Sequence, residues 1–141
     1  MIRVLLVEDD PVIRDTTCYF LKSRQNFEVV CAETGGEALS HARENFDVIL
    51  MDILLPDTNG MDLCQRLRSW HHCPIIFTSC LDDTDTVVRA LELGGDDFLT
   101  KPYNHKVLLA RIMANIRRVQ MDAAEPNVNG YHCAAFTLDS N

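Results

Sequence analysis

Four groups of polar residues stand directly after apolar runs in this sequence: Glu8-Asp9-Asp10, Asp52, Ser79 and Lys101-Pro102. Carboxylates gathered at one edge repel each other, and the repulsion is relieved either by a raised pKa or by a recruited cation. A hard divalent ion is suited to the task. Mg²⁺ prefers oxygen ligands in octahedral geometry and keeps several waters, which matches Asp9 and Asp52 as direct ligands with Glu8 acting through water. Lys101 then offers a point charge, and Ser79 a hydrogen-bond donor, to an anion beside the metal. A nucleophile, a metal and donors for the equatorial oxygens are the parts that phosphoryl transfer requires. Asp52 is the expected nucleophile because it stands alone between the other groups, whereas Glu8 and Asp9 sit together as a metal-holding pair. Thr78, directly before Ser79, offers a second hydroxyl.

For these residues to meet, the runs that precede them must be strands whose ends share one edge. Five short apolar runs rich in β-branched residues occur at 2–7, 27–32, 47–51, 74–79 and 96–100. Helical patterns lie between and after them at about 11–24, 36–45, 60–69, 84–93 and 104–119. Asp10-Pro11 supplies a cap followed by a proline at the first helical position, and Gly94-Gly95 ends the fourth helix. The alternation predicts an α/β fold: a doubly wound, flavodoxin-like (βα)5 arrangement around a five-stranded parallel sheet covered on both faces. Unbroken runs such as Val4-Leu5-Leu6-Val7 and Val48-Ile49-Leu50-Met51 fit strands buried on both faces. In such sheets ligands bind beyond the carboxyl ends of the strands, where the polar groups fall. In the fifth helix Leu109, Ile112 and Ile116 share the face expected in the core, and Val107, Arg111, Ala114 and Arg118 form the opposite stripe.

The chain has 141 residues, 47% of them apolar, which suits one compact domain with a short appendage. A formal net charge of −8 argues against a nucleic-acid or anionic-membrane surface on this chain, since either needs a basic footprint. No apolar run reaches the roughly 20 residues that span a bilayer, and Met1-Ile2-Arg3-Val4 lacks the layout of a signal peptide, so the expected compartment is the cytoplasm. Cys18, Cys31, Cys64, Cys73, Cys80 and Cys133 show no paired metal spacing and are expected to be reduced and mostly structural. His71-His72-Cys73 reads as a solvated loop rather than a closed metal site. Beyond residue 120, the segment 121–127 reads as a helix-poor linker before Pro126. The tail 128–141 holds one strand-like run, Tyr131 to Leu138, too short for a domain, so the chain is expected to stop inside the next domain of a longer protein.

Residues 1–120 resemble response-regulator receiver domains of two-component systems. Leu5-Leu6-Val7-Glu8-Asp9-Asp10 is similar to the acidic start of that family, and Asp52-Ile53-Leu54-Leu55-Pro56-Asp57-Thr58-Asn59-Gly60 to its phosphoacceptor loop. Pro74-Ile75-Ile76-Phe77-Thr78-Ser79 resembles the strand that ends in the switch hydroxyl, and Gly94 to Tyr103 the strand that carries the lysine. The family hydroxyl lies five residues after the proline and twenty-two before the lysine, and both counts select Ser79 over Thr78. The resemblance implies phosphorylation of Asp52 by a cognate sensor histidine kinase. It further implies the Leu54 backbone carbonyl as a metal ligand, a cis peptide between Lys101 and Pro102, and Phe98 as the aromatic switch residue where tyrosine is frequent. Asp96-Asp97 with Arg111 and Arg118 resembles the OmpR/PhoB subfamily of winged-helix transcription factors, as does Ala135-Phe136-Thr137-Leu138-Asp139 in the tail. That likeness implies a homodimer through the fourth helix, fifth strand and fifth helix, with Arg111 facing Asp97 and Arg118 facing Asp96 across a two-fold axis. Val87 and Val107 would meet there in place of an ionic pair, and DNA would be touched only by a further C-terminal domain.

Three other readings stay open on the residues. A stand-alone phosphorelay or adaptor protein would have the same site without an output domain, and the tail argues against it. An aspartyl phosphatase would want a second acid two residues after the nucleophile, where Leu54 stands. A nucleotide-binding protein of this architecture would need a glycine-rich loop after the first strand, where Glu8-Asp9-Asp10-Pro11 would repel phosphate unless a metal intervened.

Overall fold

The computed structural model describes residues 1–24 and 26–124. Strands and helices alternate: β1 (Ile2–Val7), α1 (Pro11–Lys22), β2 (Phe27–Ala32), α2 (Gly35–Ser40), β3 (Val48–Asp52), α3 (Gly60–Leu67), β4 (Ile75–Ser79), α4 (Thr84–Glu92), β5 (Asp97–Thr100) and α5 (His105–Ala124). The five strands form one sheet in the order β2-β1-β3-β4-β5, and every pairing is parallel. This is the flavodoxin-like order of a doubly wound sheet. The register sets Val7 beside Met51, Met51 beside Phe77 and Phe77 beside Phe98. The carboxyl ends of β1, β3, β4 and β5 are therefore level, and the residues that follow them share one edge.

The unbroken apolar strands divide their side chains between two cores because successive residues point to opposite faces. Leu5, Val7, Ile49, Met51, Ile75 and Phe77 enter the core shared with Ala38 of α2, Leu63 and Leu67 of α3 and Ala90 of α4. Val4, Leu6, Val48, Leu50 and Ile76 enter the other, against Leu21 of α1 and Leu108 and Ile112 of α5. Helix starts follow their caps. Asp10 Oδ1 accepts from the amides of Val12 and Ile13 at 2.9 and 3.2 Å, with Pro11 at the first helical position. Asn59 caps α3 and Asp83 caps α4 in the same way.

Two boundaries, and the buried face of α5, differ most from the sequence reading. α2 ends at Ser40, because the chain tightens into i→i−3 bonds from His41 to Ala38 and from Ala42 to Leu39. α5 runs to Ala124 instead of stopping near 119, so the first four residues of the segment read as a helix-poor linker are helical. Met121 and the alanines are good helix formers, and the restriction imposed by Pro126 reaches back only one residue. In α5 the fully buried line is Leu108, Ile112 and Asn115, while Leu109 and Ile116 are partly buried at its margin. Residues 125–127 of the linker and the tail with its strand-like run lie outside the described residues. Among the described residues, no helix is long and apolar enough to cross a membrane.

Candidate functional site

The level strand ends bring Glu8, Asp52 and Lys101 into direct contact. Lys101 Nζ lies 2.7 Å from Glu8 Oε1 and donates to Asp52 Oδ2 at 3.0 Å. All three side chains are almost fully buried, the lysine at 7% exposure and the acids below it. Such a triad carries one positive charge against two negative ones in a place where water screens poorly. Burial pushes the Asp52 carboxyl up to about 7; the Lys101 hydrogen bond opposes this, and the charge of Glu8 adds to it. Burial works against the Lys101 ammonium, but its attraction to the Glu8 and Asp52 carboxylates outweighs that and holds its pKa above the ordinary lysine value.

The surplus negative charge marks where a cation fits. Glu8, Asp9 and Asp52 each present one carboxylate oxygen so that the three atoms lie within 4.8 Å of one another, with Asp9 exposed at the mouth. Glu8 Oε1 lacks an aligned hydrogen-bond donor although the ammonium is close, so it has unused acceptor capacity. An all-oxygen donor set open to solvent suits hard divalent ions that retain waters.

The loops around the cluster are fixed by local bonds. Asp52 Oδ1 accepts from the Leu54 amide at 3.1 Å. A Cβ on Gly60 would stand 2.2 Å from the Asp52 carbonyl oxygen, so only glycine lets α3 start this close to β3. Asp57 accepts from the Gly35 and Gly36 amides at 2.8 and 3.0 Å, tying the loop after Asp52 to the start of α2. Leu54 and Leu81 are both exposed beside the acidic cluster's loops.

The family model described as the response regulator receiver domain matches residues 4–113. The chain belongs to the response regulator receiver domain family. Among solved structures, this receiver resembles a receiver domain protein from Methanospirillum hungatei JF-1, at 29% identity and TM-score 0.81, covering 86% of this chain and 98% of that one. It resembles response regulator DrrB, a Thermotoga maritima OmpR/PhoB homologue, at 31% identity and TM-score 0.77, covering 84% of this chain and 54% of that one. A third likeness is to a response regulator protein from Burkholderia pseudomallei with a phosphorylated aspartic acid, calcium ion and citrate. It shows 27% identity and TM-score 0.75, covering 90% of this chain and 75% of that one.

In this receiver Ser79 is fully buried at the end of β4, and its Oγ accepts from the Leu81 amide at 3.0 Å. Thr78 is also buried, but pairs directly with Asp52 in the sheet register. The Lys101-Pro102 peptide is cis, as the resemblance implied. Phe98 is partly buried against the core under α3 and α4. Of the residues assigned to a dimer face, Val107 is exposed and Val87 half-buried. The ion pairs expected between chains form within this one: Arg111 Nη1 donates to Asp97 Oδ1 at 2.6 Å and Arg118 Nη2 to Asp96 Oδ1 at 3.2 Å. Asp96 has a second duty that was not foreseen. Its Oδ2 accepts from Arg68 at 2.8 Å and from the Ile75 amide at 2.9 Å, locking the start of β4. Thr17 of α1 and Tyr103, two places after the lysine, share a hydrogen bond that no helical or strand period indicates.

Proposed function

We propose that this receiver accepts a phosphoryl group on Asp52 from a sensor histidine kinase, with Mg²⁺ at Glu8, Asp9, Asp52 and the Leu54 backbone carbonyl. The observation that carries the reading is the place of Asp52. It ends the central strand β3, almost fully buried, beside two other acids and bonded to the ammonium of Lys101. The Burkholderia relative, with its phosphorylated aspartic acid and calcium ion, supports both the acceptor chemistry and a hard divalent ion.

In the reaction an Asp52 carboxylate oxygen attacks phosphorus, the bond from phosphorus to the donor's imidazole nitrogen breaks, and the imidazole leaves. Bound Mg²⁺ would supply positive charge to the phosphoryl oxygens. Lys101 adds its ammonium to the same oxygens, and Ser79 donates its hydroxyl to one of them, which redirects a group that now accepts from Leu81. Phe98, on the strand next to β4, follows that movement into its core, and the α4-β5-α5 surface changes with it. Phosphorylated copies then pair through α4, β5 and α5, with Val87, Asp96, Asp97, Val107, Arg111 and Arg118 at the contact. Resemblance to the Thermotoga OmpR/PhoB homologue supports a winged-helix output domain beginning in 128–141, through which the dimer binds DNA and regulates transcription.

Mg²⁺ dependence tests the site as a whole. Incubation with acetyl phosphate should add one phosphoryl group when Mg²⁺ is present and none when EDTA is. Equal labelling in both would overturn the metal's part in the reading.

A further inference from the structure

A pair of cysteines that plays no part in the acidic site meets between α1 and β2. In β2, Phe27 and Val29 enter the core under α1 whereas Val30 and Ala32 enter the opposite one. The two-residue strand period therefore points Cys31 toward α1 as well. The register sets Cys31 beside Leu6, a member of that same core. Cys18, on α1, packs against this core from above. α1 packs directly on β2, and the Cys18 thiol is a neighbour that acts on Cys31. Both are free thiols, Cys31 exposed and Cys18 half-buried. β2 is an edge strand, so Cys31 is reached from the open side of the sheet.

We propose that Cys18 and Cys31 form a modification site that reacts with a low-molecular-weight disulfide and closes into a disulfide tying α1 to the edge strand. Cys31 gives up its proton and its sulfur attacks one sulfur of the small disulfide, whose S–S bond breaks to release one thiol. Cys18 then gives up its proton and attacks the Cys31 sulfur of the mixed disulfide, expelling the second thiol. Two electrons pass from the pair to the small disulfide, which leaves as two thiols carrying the two protons. Exposure sets the order: the accessible sulfur reacts first and its half-buried neighbour resolves the adduct. Burial, helped by the neighbouring thiol, pushes Cys31 up to about 11, while the charges of Lys22 and Arg14 pull the other way. Cys31 is thus protonated at neutral pH, and the exchange answers sustained rather than brief oxidising conditions.

Oxidised glutathione is the probe. The whole chain is incubated with it, quenched in acid and digested with trypsin without reductant, which leaves Cys18 in the peptide 15–22 and Cys31 in the peptide 25–43. These two peptides should be recovered joined, with no glutathione on either. In Cys18→Ser, Cys31 should keep a stable glutathione adduct; in Cys31→Ser, Cys18 should be modified about tenfold more slowly, as its lower access requires. The exposed Cys80 serves as the internal clock. The proposal fails if native Cys31 retains glutathione, if it joins a cysteine other than Cys18, or if it stays unmodified once Cys80 has reacted completely.

Discussion

The hydroxyls of Thr17 and Tyr103 lie 2.8 Å apart, joining α1 to the loop that follows Lys101. Thr17 is fully buried, and among the described residues its other side-chain partner is His105 Nε2 at 3.5 Å. His105 in turn stacks on Phe20 with ring centroids 5.1 Å apart. Tyr103→Phe removes one hydroxyl and leaves the other buried with a poor partner, so stability should fall by about 1–2 kcal/mol. A urea midpoint that drops at constant slope is the expected result; an unmoved midpoint would show that the bond contributes nothing.

Lys101→Ala leaves Glu8 and Asp52 facing each other in a buried place without their shared cation. Breaking a buried ion pair from one side costs about 3–5 kcal/mol. The loss should be large in EDTA and much smaller in millimolar Mg²⁺, because a divalent ion restores the missing positive charge. An equal loss in both conditions would mean that the lysine and the metal do not share the same carboxylates. The variant should still bind Mg²⁺ while phosphorylation no longer drives the conformational change.

Acid stability offers an independent check on the loop after Asp52. Backbone bonds from Gly35 and then Gly36 hold the Asp57 carboxyl below its ordinary value of 3.8. A carboxyl whose folded-state pKa is depressed contributes stability at pH above its unfolded value, and that contribution is lost as the pH falls through the lower folded value. Asp57→Asn should therefore melt earlier than the native protein near neutral pH, and the two should converge in strong acid. A difference in melting temperature that persists unchanged to low pH would contradict this.

Val107 is exposed on α5, and Val88 and Leu91 leave further apolar surface on α4. Within one chain Arg111 and Arg118 already satisfy Asp97 and Asp96. Exposed ion pairs of this kind add only about 0–1 kcal/mol each, so exchanging them between chains would set register more than affinity. The apolar contact is the larger contribution, roughly 1.5–3 kcal/mol for each valine fully buried. Val107→Glu should weaken dimerisation of the phosphorylated protein in sedimentation velocity and leave the monomer's melting temperature unchanged. An undiminished dimer would place the contact on another surface.

Much of this was legible in the sequence, and the reasons differ by element. The strands fall within a residue of their expected bounds because runs such as Val48-Ile49-Leu50-Met51 can be buried on both faces only inside a parallel sheet. Glu8, Asp52 and Lys101 meet because each directly follows or ends such a run, and level strand ends leave them no other place. The phase of α5 was harder to read. Leu108 and Leu109 are adjacent, and it is Leu108 that joins the core containing Leu99 and Ile76, with the polar Asn115 following it into the buried line. The Arg68–Asp96 and Thr17–Tyr103 bonds span loops and layers, and local periodicity holds no trace of such contacts. The end of α2 was misplaced because its last residues still favour helix, and only the tightened bonding after Ala38 shows the change.

Asp52 as the phosphoacceptor is tested most directly by mapping the modified residue. The native chain and Asp52→Asn are each incubated with acetyl phosphate and Mg²⁺, weighed intact, and digested to locate the modification. The native chain should gain a single acid-stable, base-labile phosphoryl group in the peptide that contains Asp52, and the folded Asn variant should gain none. Stoichiometric phosphorylation of the Asn variant, or a native phosphate mapped to any other residue, would contradict the account.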